Sequence, residues 1–252
     1  IDRLIQEDAI IIGRINCDEF AMGSTNENSA YGAVKNPLNP NYTPGGSSGG
    51  CAAAVTANLC HITLGSDTGG SIRQPASFCD AIGLKPSYGM VSRHGLIAYA
   101  SSFDQIGPIG KSIDDIDKVM EVISGKDDFD STCVFSNEDY KQKTSAPKKM
   151  KISVIKEAAQ HKLLHGDVKR SFSTLLENIK KNGHEIKYVD MPILKYLVPT
   201  YYILTTAEAS SNLARYDGVR YGYSSRLIKN NWEDLIIKTR SEGFGKEVKR
   251  RI

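Results

Sequence analysis

The chain has 252 residues, 40% hydrophobic and 24% charged, which suits a soluble globular protein of one or two domains with a sizeable core. A net charge of +3 is too slight to argue for nucleic acid by itself, and no apolar run approaches the roughly 18–20 residues that a membrane span needs. Five cysteines, an odd number without a C-x-x-C pair, argue against a disulfide framework and for a reducing compartment.

In chain order, residues 1–8 read as the tail of a helix. Ala9–Asn16 is a short apolar run that suits a buried strand. Asp18–Met22 opens a short helix, and Tyr31–Pro44, with three prolines and three asparagines, is a loop. Ser47 or Ser48 is placed to cap a helix through Cys51–Leu59, whose alanines permit close packing. His61–Leu64 reads as a strand, so Ser71 falls at a strand-to-helix junction, where helix N–H groups favour a developing negative charge. Ser112-Ile113-Asp114-Asp115 resembles a capping box. Ile116, Val119, Met120 and Ile123 follow at helical spacing, and Gly125 closes the helix.

Residues 126–150 are polar and lysine-rich and read as an exposed linker or excursion. A strand at Lys151–Ile155, a helix with Phe172, Leu175, Leu176 and Ile179 on one face, Gly183, and a strand at His184–Met191 make a β-α-β unit. Tyr196–Tyr216 and Trp232–Ser241 read as helices. Gly245–Ile252 reads as a helix without a stop signal, so both ends look cut. No internal repeat is present.

The chain is organised around Pro44–Pro75, where two glycine-serine loops, Gly45–Gly50 and Thr68–Ser71, flank one short helix and one short strand. Glycines let the backbone take positive φ and let a ligand approach the main chain. The run of N–H groups at Thr68-Gly69-Gly70-Ser71 is the layout an oxyanion hole needs. Three shorter motifs fit poorly. Gly46-Ser47-Ser48-Gly49-Gly50 matches the letters of a nucleophile elbow, but Asn-Pro-Asn-Tyr-Thr-Pro before it cannot be a central strand. Asp67-Thr68-Gly69 has no second copy to form an aspartic dyad, and the Gly-Lys-Ser/Thr of a P-loop is missing.

PGGSSGG followed by GSDTGGSIRQPASFCDAIGLKPSYG resembles the signature of the amidase family, the Ser–cis-Ser–Lys amide hydrolases. Phe20–Ser24, Ser101–Pro108, Ala207–Asn212 and Arg240–Gly245 resemble the A subunits of aspartyl/glutamyl-tRNA amidotransferases. The resemblance runs over nearly the whole chain and is weakest from about Asp127 to Val198. It implies an α/β fold, with a mixed central β-sheet covered by helices on both faces, in one amidase-type domain over 1–252.

By that resemblance Ser71 is the nucleophile and Ser47 a relay serine whose peptide bond is cis. The N–H groups of Thr68, Gly69, Gly70 and Ser71 form the oxyanion hole. Capping is the plainer role open to Ser47 and Ser48. Tyr201 and Arg251 match glutamine-contacting positions, and an arginine fork suits a carboxylate. Tyr202 reads equally well as core, and Arg250 or Arg251 as solvated helix residues. Arg73 is expected to brace the loop through an ion pair with Asp67. The family base is a neutral lysine. Lys35, in Val34-Lys35-Asn36-Pro37, is the one lysine before Gly45 and does not match its context.

The resemblance further implies B and C partner subunits, misacylated tRNA met mainly through a partner, and ATP and Mg²⁺ used there rather than on this chain. It also implies a bacterial cytoplasm, or else a mitochondrion or plastid. A stand-alone amidase acting on another amide and a non-catalytic scaffold are the two rival readings.

Overall fold

The computed structural model describes residues 1–141, 147–225 and 231–252. In chain order these form α1 (Asp2–Gln6), a 3-10 turn at Glu19–Ala21, α2 (Gly49–Thr56), β1 (Ile62–Asp67), α3 (Arg73–Phe78), β2 (Ile82–Gly83), β3 (Gln105–Gly110), α4 (Ile113–Ile123) and α5 (Asn137–Lys141). There follow β4 (Lys151–Ile155), α6 (Lys156–Ala159), α7 (Gly166–Lys181), β5 (Glu185–Val189), a 3-10 turn at Pro192–Tyr196, α8 (Leu197–Leu213), α9 (Trp232–Gly243) and α10 (Lys246–Arg251). Where the sequence points to one domain, the contacts divide the chain into two compact units: Ile1–Gln142 with Ile203–Ile252, and Lys143–Tyr202.

The first unit carries an antiparallel sheet in the order β1-β3-β2, with β1 and β3 in register from Ile62 opposite Gly110 to Asp67 opposite Gln105. Helix α2 packs on it through small side chains. Cys51, Ala52 and Val55 meet Ile72, Ala76, Cys79 and Ile109 in one buried cluster. Small residues bring α2 close to β1. A Cβ on Gly65 would stand 2.8 Å from Ser48 Oγ, so glycine at that strand position is what lets the first serine loop touch the sheet.

A second cluster joins Val91 to Ile116, Met120 and Ile123 of α4. The expected cap holds: Ser112 Oγ accepts from the Asp115 N–H at 3.1 Å and donates to the Asp115 carboxylate at 2.7 Å. Fully burying each of these apolar side chains contributes about 1.5–3 kcal/mol, more than the cap's ~1 kcal/mol. The cap therefore sets where α4 starts, and packing holds it on the sheet.

In the second unit β4 and β5 pair in parallel, Lys151 opposite Glu185 through Ile155 opposite Val189, joined by way of α7. This is the β-α-β unit read from the periodicity. Val154 of β4 and Leu176 of α7 are buried, Phe172 and Ile179 are half-buried, and Leu175 is exposed.

Two expectations change. Ala9–Asn16 is not a strand. Ile10 and Ile12 are 87% and 69% exposed, and no strand among the described residues pairs with the segment. An apolar run becomes a strand only where a neighbour accepts its N–H and C=O groups. Residues 126–150 are not exposed throughout either. Asp130 and Cys133 are buried, and Asp130 accepts from Arg93 Nε at 3.2 Å and from the Arg93 N–H at 2.9 Å. Burial works against the Asp130 charge, yet the Arg93 and Thr132 bonds hold its carboxyl far below the usual range. Residues 142–146 of that segment lie outside the described residues.

Candidate active site

Strand β1 ends at Asp67 and α3 begins at Arg73, leaving residues 68–72 as the second glycine loop. The Asp67 side chain is fully buried and organises it. Its carboxylate accepts the N–H groups of Gly70 at 2.7 Å and Ile72 at 3.1 Å, and Arg73 Nε and Nη2 at 3.0 Å each. Burial raises the Asp67 pKa, but the Arg73 bond and the N–H donors outweigh it and hold the group below its ordinary value. The expected Asp67–Arg73 pair is therefore present.

One expected oxyanion donor is not available. The Gly70 N–H is taken by Asp67, whereas those of Thr68, Gly69 and Ser71 take no acceptor among the described residues. The signal was local. An aspartate often accepts an N–H two or three positions ahead, and glycine, here at φ 132°, permits the turn.

At its other end the loop is held by Asp104, just before β3. Thr68 Oγ1 donates to Asp104 Oδ1 at 2.6 Å, and the N–H groups of Tyr99 and Ala100 donate to the same carboxylate at 2.9–3.2 Å. Burial is the strongest influence on Asp104 and leaves its pKa raised despite these donors.

The first loop approaches from the N-terminus of α2. The Gly46–Ser47 peptide bond is cis, as the resemblance implies. The Ser48 N–H donates to the Ser71 carbonyl at 3.1 Å, which fixes one loop on the other and sets Ser47 beside the Ser71 segment. Ser48 stands at the N-cap of α2 but makes no side-chain cap bond. Its hydroxyl instead donates to the Ser66 carbonyl at 3.1 Å and accepts the Ser66 N–H at 3.2 Å, bolting α2 to β1. Ser47, 1% exposed, has a hydroxyl with no hydrogen-bond partner among the described residues. Ser71 is buried apart from a small window, and its hydroxyl makes no hydrogen bond there either.

Asp18 closes the site from behind. It is fully buried, its N–H donates to the Ser47 carbonyl at 3.2 Å, and its carboxylate accepts the N–H groups of Asn26 at 3.0 Å and Asn28 at 2.9 Å. Burial pushes its pKa up against those donors. A Cβ on Gly46 would lie 2.3 Å from Asp18 Oδ2 and 2.9 Å from two backbone nitrogens, so no side chain fits before Ser47.

Arg251, on α10, is buried. Its Nε donates to Glu247 Oε1 at 2.7 Å and its Nη1 to the Tyr99 hydroxyl at 2.9 Å. Burial opposes its charge, but Glu247 and Tyr99 more than offset this and raise its pKa. Arg250 binds the same Glu247 from the exposed side, so Arg251 is the inward member of the pair. Tyr201 belongs to the other unit. It is half-buried on α8, edge-to-face with Tyr202 at 5.4 Å between ring centroids. Lys35 is exposed in its loop. Among the described residues no three His, Cys, Asp or Glu side chains gather as a metal set.

The first unit thus brings Ser47, Ser71, the donor loop and, through Tyr99 and Asp104, Arg251 into one connected region. This arrangement can support attack by a serine hydroxyl on a carbonyl, with N–H groups for the oxyanion and a second hydroxyl to pass the proton. Asp18, Tyr99 and Asp104 were not assigned roles from sequence, because their partners lie 4 to 152 residues away.

The sequence profile of the Amidase family matches residues 1–252. The chain is 52% identical over 255 residues to the A subunit of glutamyl-tRNA(Gln) amidotransferase from Chlorobium phaeobacteroides, covering 100% of this chain and 53% of that protein. It is 51% identical to the protein of the same name from Lachnospira eligens, covering 100% of this chain and 52% of that one. The crystal structure of the corresponding protein from Thermotoga maritima superposes with a TM-score of 0.75 at 38% identity, over 95% of this chain and 51% of that one. The native peptide amidase of Stenotrophomonas maltophilia superposes at 0.74 with 25% identity, over 99% and 53%. The chain spans about half the length of the curated relatives it matches.

Proposed function

Because this chain belongs to the amidase family, we propose that it is part of the glutamine-hydrolysing component of a tRNA-dependent amidotransferase. The observation that carries the reading is the Ser48–Ser71 backbone bond, which puts the buried Ser47 hydroxyl, unpartnered among the described residues, beside a loop whose Thr68, Gly69 and Ser71 N–H groups take no acceptor among them.

The chemistry follows from these residues. Ser71 Oγ attacks the side-chain amide carbon of glutamine, forming a C–O bond. The carbonyl oxygen becomes an oxyanion facing the N–H groups of Thr68, Gly69 and Ser71. Ser47 takes the Ser71 proton and passes it toward the base. On collapse the C–N bond breaks and the amine leaves as ammonia, protonated through Ser47. Water then attacks the acyl-Ser71 ester and releases glutamate. Arg251 is assigned to the α-carboxylate of the substrate, and Tyr201 keeps the glutamine-contacting role that the resemblance implies. The base is by resemblance a lysine, a role that exposed Lys35 does not fill.

By the resemblance, ammonia would pass to partner B and C subunits, which would use ATP and Mg²⁺ in amidating the side chain of Glu-tRNA(Gln) or Asp-tRNA(Asn). A bacterial cytoplasmic setting fits the bacterial relatives and five free thiols. The experiment is glutamine hydrolysis by a protein of the relatives' full length, with and without the B and C subunits and tRNA, and mass-spectrometric trapping of acyl-Ser71. Stimulation by partners supports the reading. Partner-independent hydrolysis of unrelated amides would favour a stand-alone amidase, and no acyl-enzyme at all a scaffold.

A further inference from the structure

The two loops are not the whole site. Residues 68–71 carry two glycines, so their N–H groups hold a fixed aim only if the flanks are anchored. Asp67 anchors the far flank through Gly70, Ile72 and Arg73. Among the described residues the near flank has one side-chain anchor, the 2.6 Å bond from Thr68 Oγ1 to Asp104 Oδ1. The Asp104 carboxylate also accepts the Tyr99 N–H at 2.9 Å. Tyr99 is 1% exposed, and its hydroxyl donates to Thr205 Oγ1 at 2.9 Å while accepting from Arg251 Nη1 at 2.9 Å. Two residues thus separate the donor loop from the guanidinium. All members lie in one compact unit.

We propose that Asp104 is a positioning residue that sets the donor loop through Thr68 and the substrate-holding Arg251 through Tyr99, so that carboxylate recognition and oxyanion stabilisation share one rigid joint. The inference rests on the roles given above to Ser71 and Arg251. It separates into two arms with different kinetic signatures. Thr68 acts where charge develops, so its side-chain anchor affects kcat. Tyr99 acts on a group that holds substrate throughout, so its hydroxyl affects KM.

The test uses the protein at the relatives' full length, with glutamine and with a primary amide lacking the α-carboxylate. Thr68→Val keeps the N–H and the shape and removes the hydroxyl. It should lower kcat about tenfold on both amides, the lower end of what a hydrogen bond to a charged group is worth, with KM within about twofold. Thr68→Ser should restore the rate. Tyr99→Phe should raise KM for glutamine about tenfold, leave kcat alone, and leave the simple amide unaffected. Asp104→Asn should show both defects; if it does not fold, the other two variants still decide. Counting acylatable sites in each variant separates slower chemistry from loss of folded protein. A Thr68→Val enzyme with wild-type kcat, or a Tyr99→Phe enzyme that loses both amides equally, overturns the proposal. Wild-type protein inactive on glutamine but active on the simple amide overturns the substrate assignment instead, and the Thr68 arm is then read on that amide.

Discussion

Arg73 reaches the buried carboxylate of Asp67 with two nitrogens, each at 3.0 Å, and Asp67 in turn holds the Gly70 and Ile72 N–H groups. The Arg73 side chain is 51% exposed, so solvent screens much of the charge attraction and the geometry matters more. Arg73→Lys replaces a two-pronged donor by a point charge. It is expected to leave the melting temperature within a few degrees of wild type while lowering glutamine turnover several-fold. Asp67→Asn should lower both strongly, since charged hydrogen bonds are worth about 1.5–3 kcal/mol each. Wild-type turnover in Arg73→Lys would show that the pair only tidies the surface.

Ser47 and Ser48 are expected to fail in opposite ways. The Ser48 hydroxyl makes two bonds to Ser66, each worth about 1 kcal/mol, and none that the chemistry uses. Ser48→Ala should therefore cost stability and little rate. The Ser47 hydroxyl makes no hydrogen bond among the described residues, so Ser47→Ala should cost little stability and about 10²–10⁴ in rate. Ser71→Ala should remove turnover with the fold intact. Thermal melts and ammonia release on the three variants check this, and the assignment of the relay fails if Ser48→Ala proves the slower enzyme.

How much of this was legible in the sequence depended on the range of the interaction. The α4 cap spans three residues and the β-α-β unit follows a repeating pattern, so both could be read. The serine loops were visible as a long, specific motif. The Asp104–Tyr99–Arg251 chain was not, because it joins residues up to 152 positions apart through a hydroxyl and a carboxylate that each have innocuous local readings. Ala9–Asn16 failed for the converse reason: local apolarity is visible, whereas the availability of a pairing partner is not.

Glu247 gives an acid-side prediction. The bond from Arg250, followed by that from Arg251, lowers its pKa from 4.5 to about 2, against the opposing effect of partial burial. A carboxylate depressed in the folded state adds stability above its unfolded pKa, and that contribution is lost as pH falls. It should be complete above about pH 4.5 and gone near pH 2. Glu247→Gln lacks the titration, so the stability difference from wild type should shrink as pH falls through this window. A difference that stays constant between about pH 6 and pH 2.5, in denaturant titrations, would rule this out.

Cysteine reactivity should follow burial. Burial pushes Cys51 up to about 12 and Cys79 to about 11; burial and Asp18 raise the Cys17 thiol too, but its residue is exposed to the reagent. At about pH 8 the buried thiols are thiolate in only about one molecule in 10³–10⁴. Iodoacetamide should label Cys17 well before Cys51 or Cys79 in the folded protein, and peptide mapping after timed quenching shows the order. Early labelling of Cys51 would mean that α2 opens from β1 far more often than its packing implies.

A polypeptide of residues 1–252 alone should release no ammonia from glutamine. The Ser47 hydroxyl has no partner among the described residues, so no group there draws its proton away. Lys35, the one lysine ahead of the first serine loop, is exposed in a segment rich in proline and asparagine. Without a base Ser71 remains a neutral hydroxyl, a poor nucleophile, even with the Thr68, Gly69 and Ser71 N–H groups in place. Those donors alone can still stabilise an oxyanion, so a strongly activated ester is the more sensitive probe of any residual chemistry. The comparison is ammonia release by this polypeptide beside a protein of the relatives' full length, with circular dichroism confirming that both are folded. Comparable turnover by the two would place the base among the residues present, and lysine-to-methionine substitutions taken one at a time would then locate it.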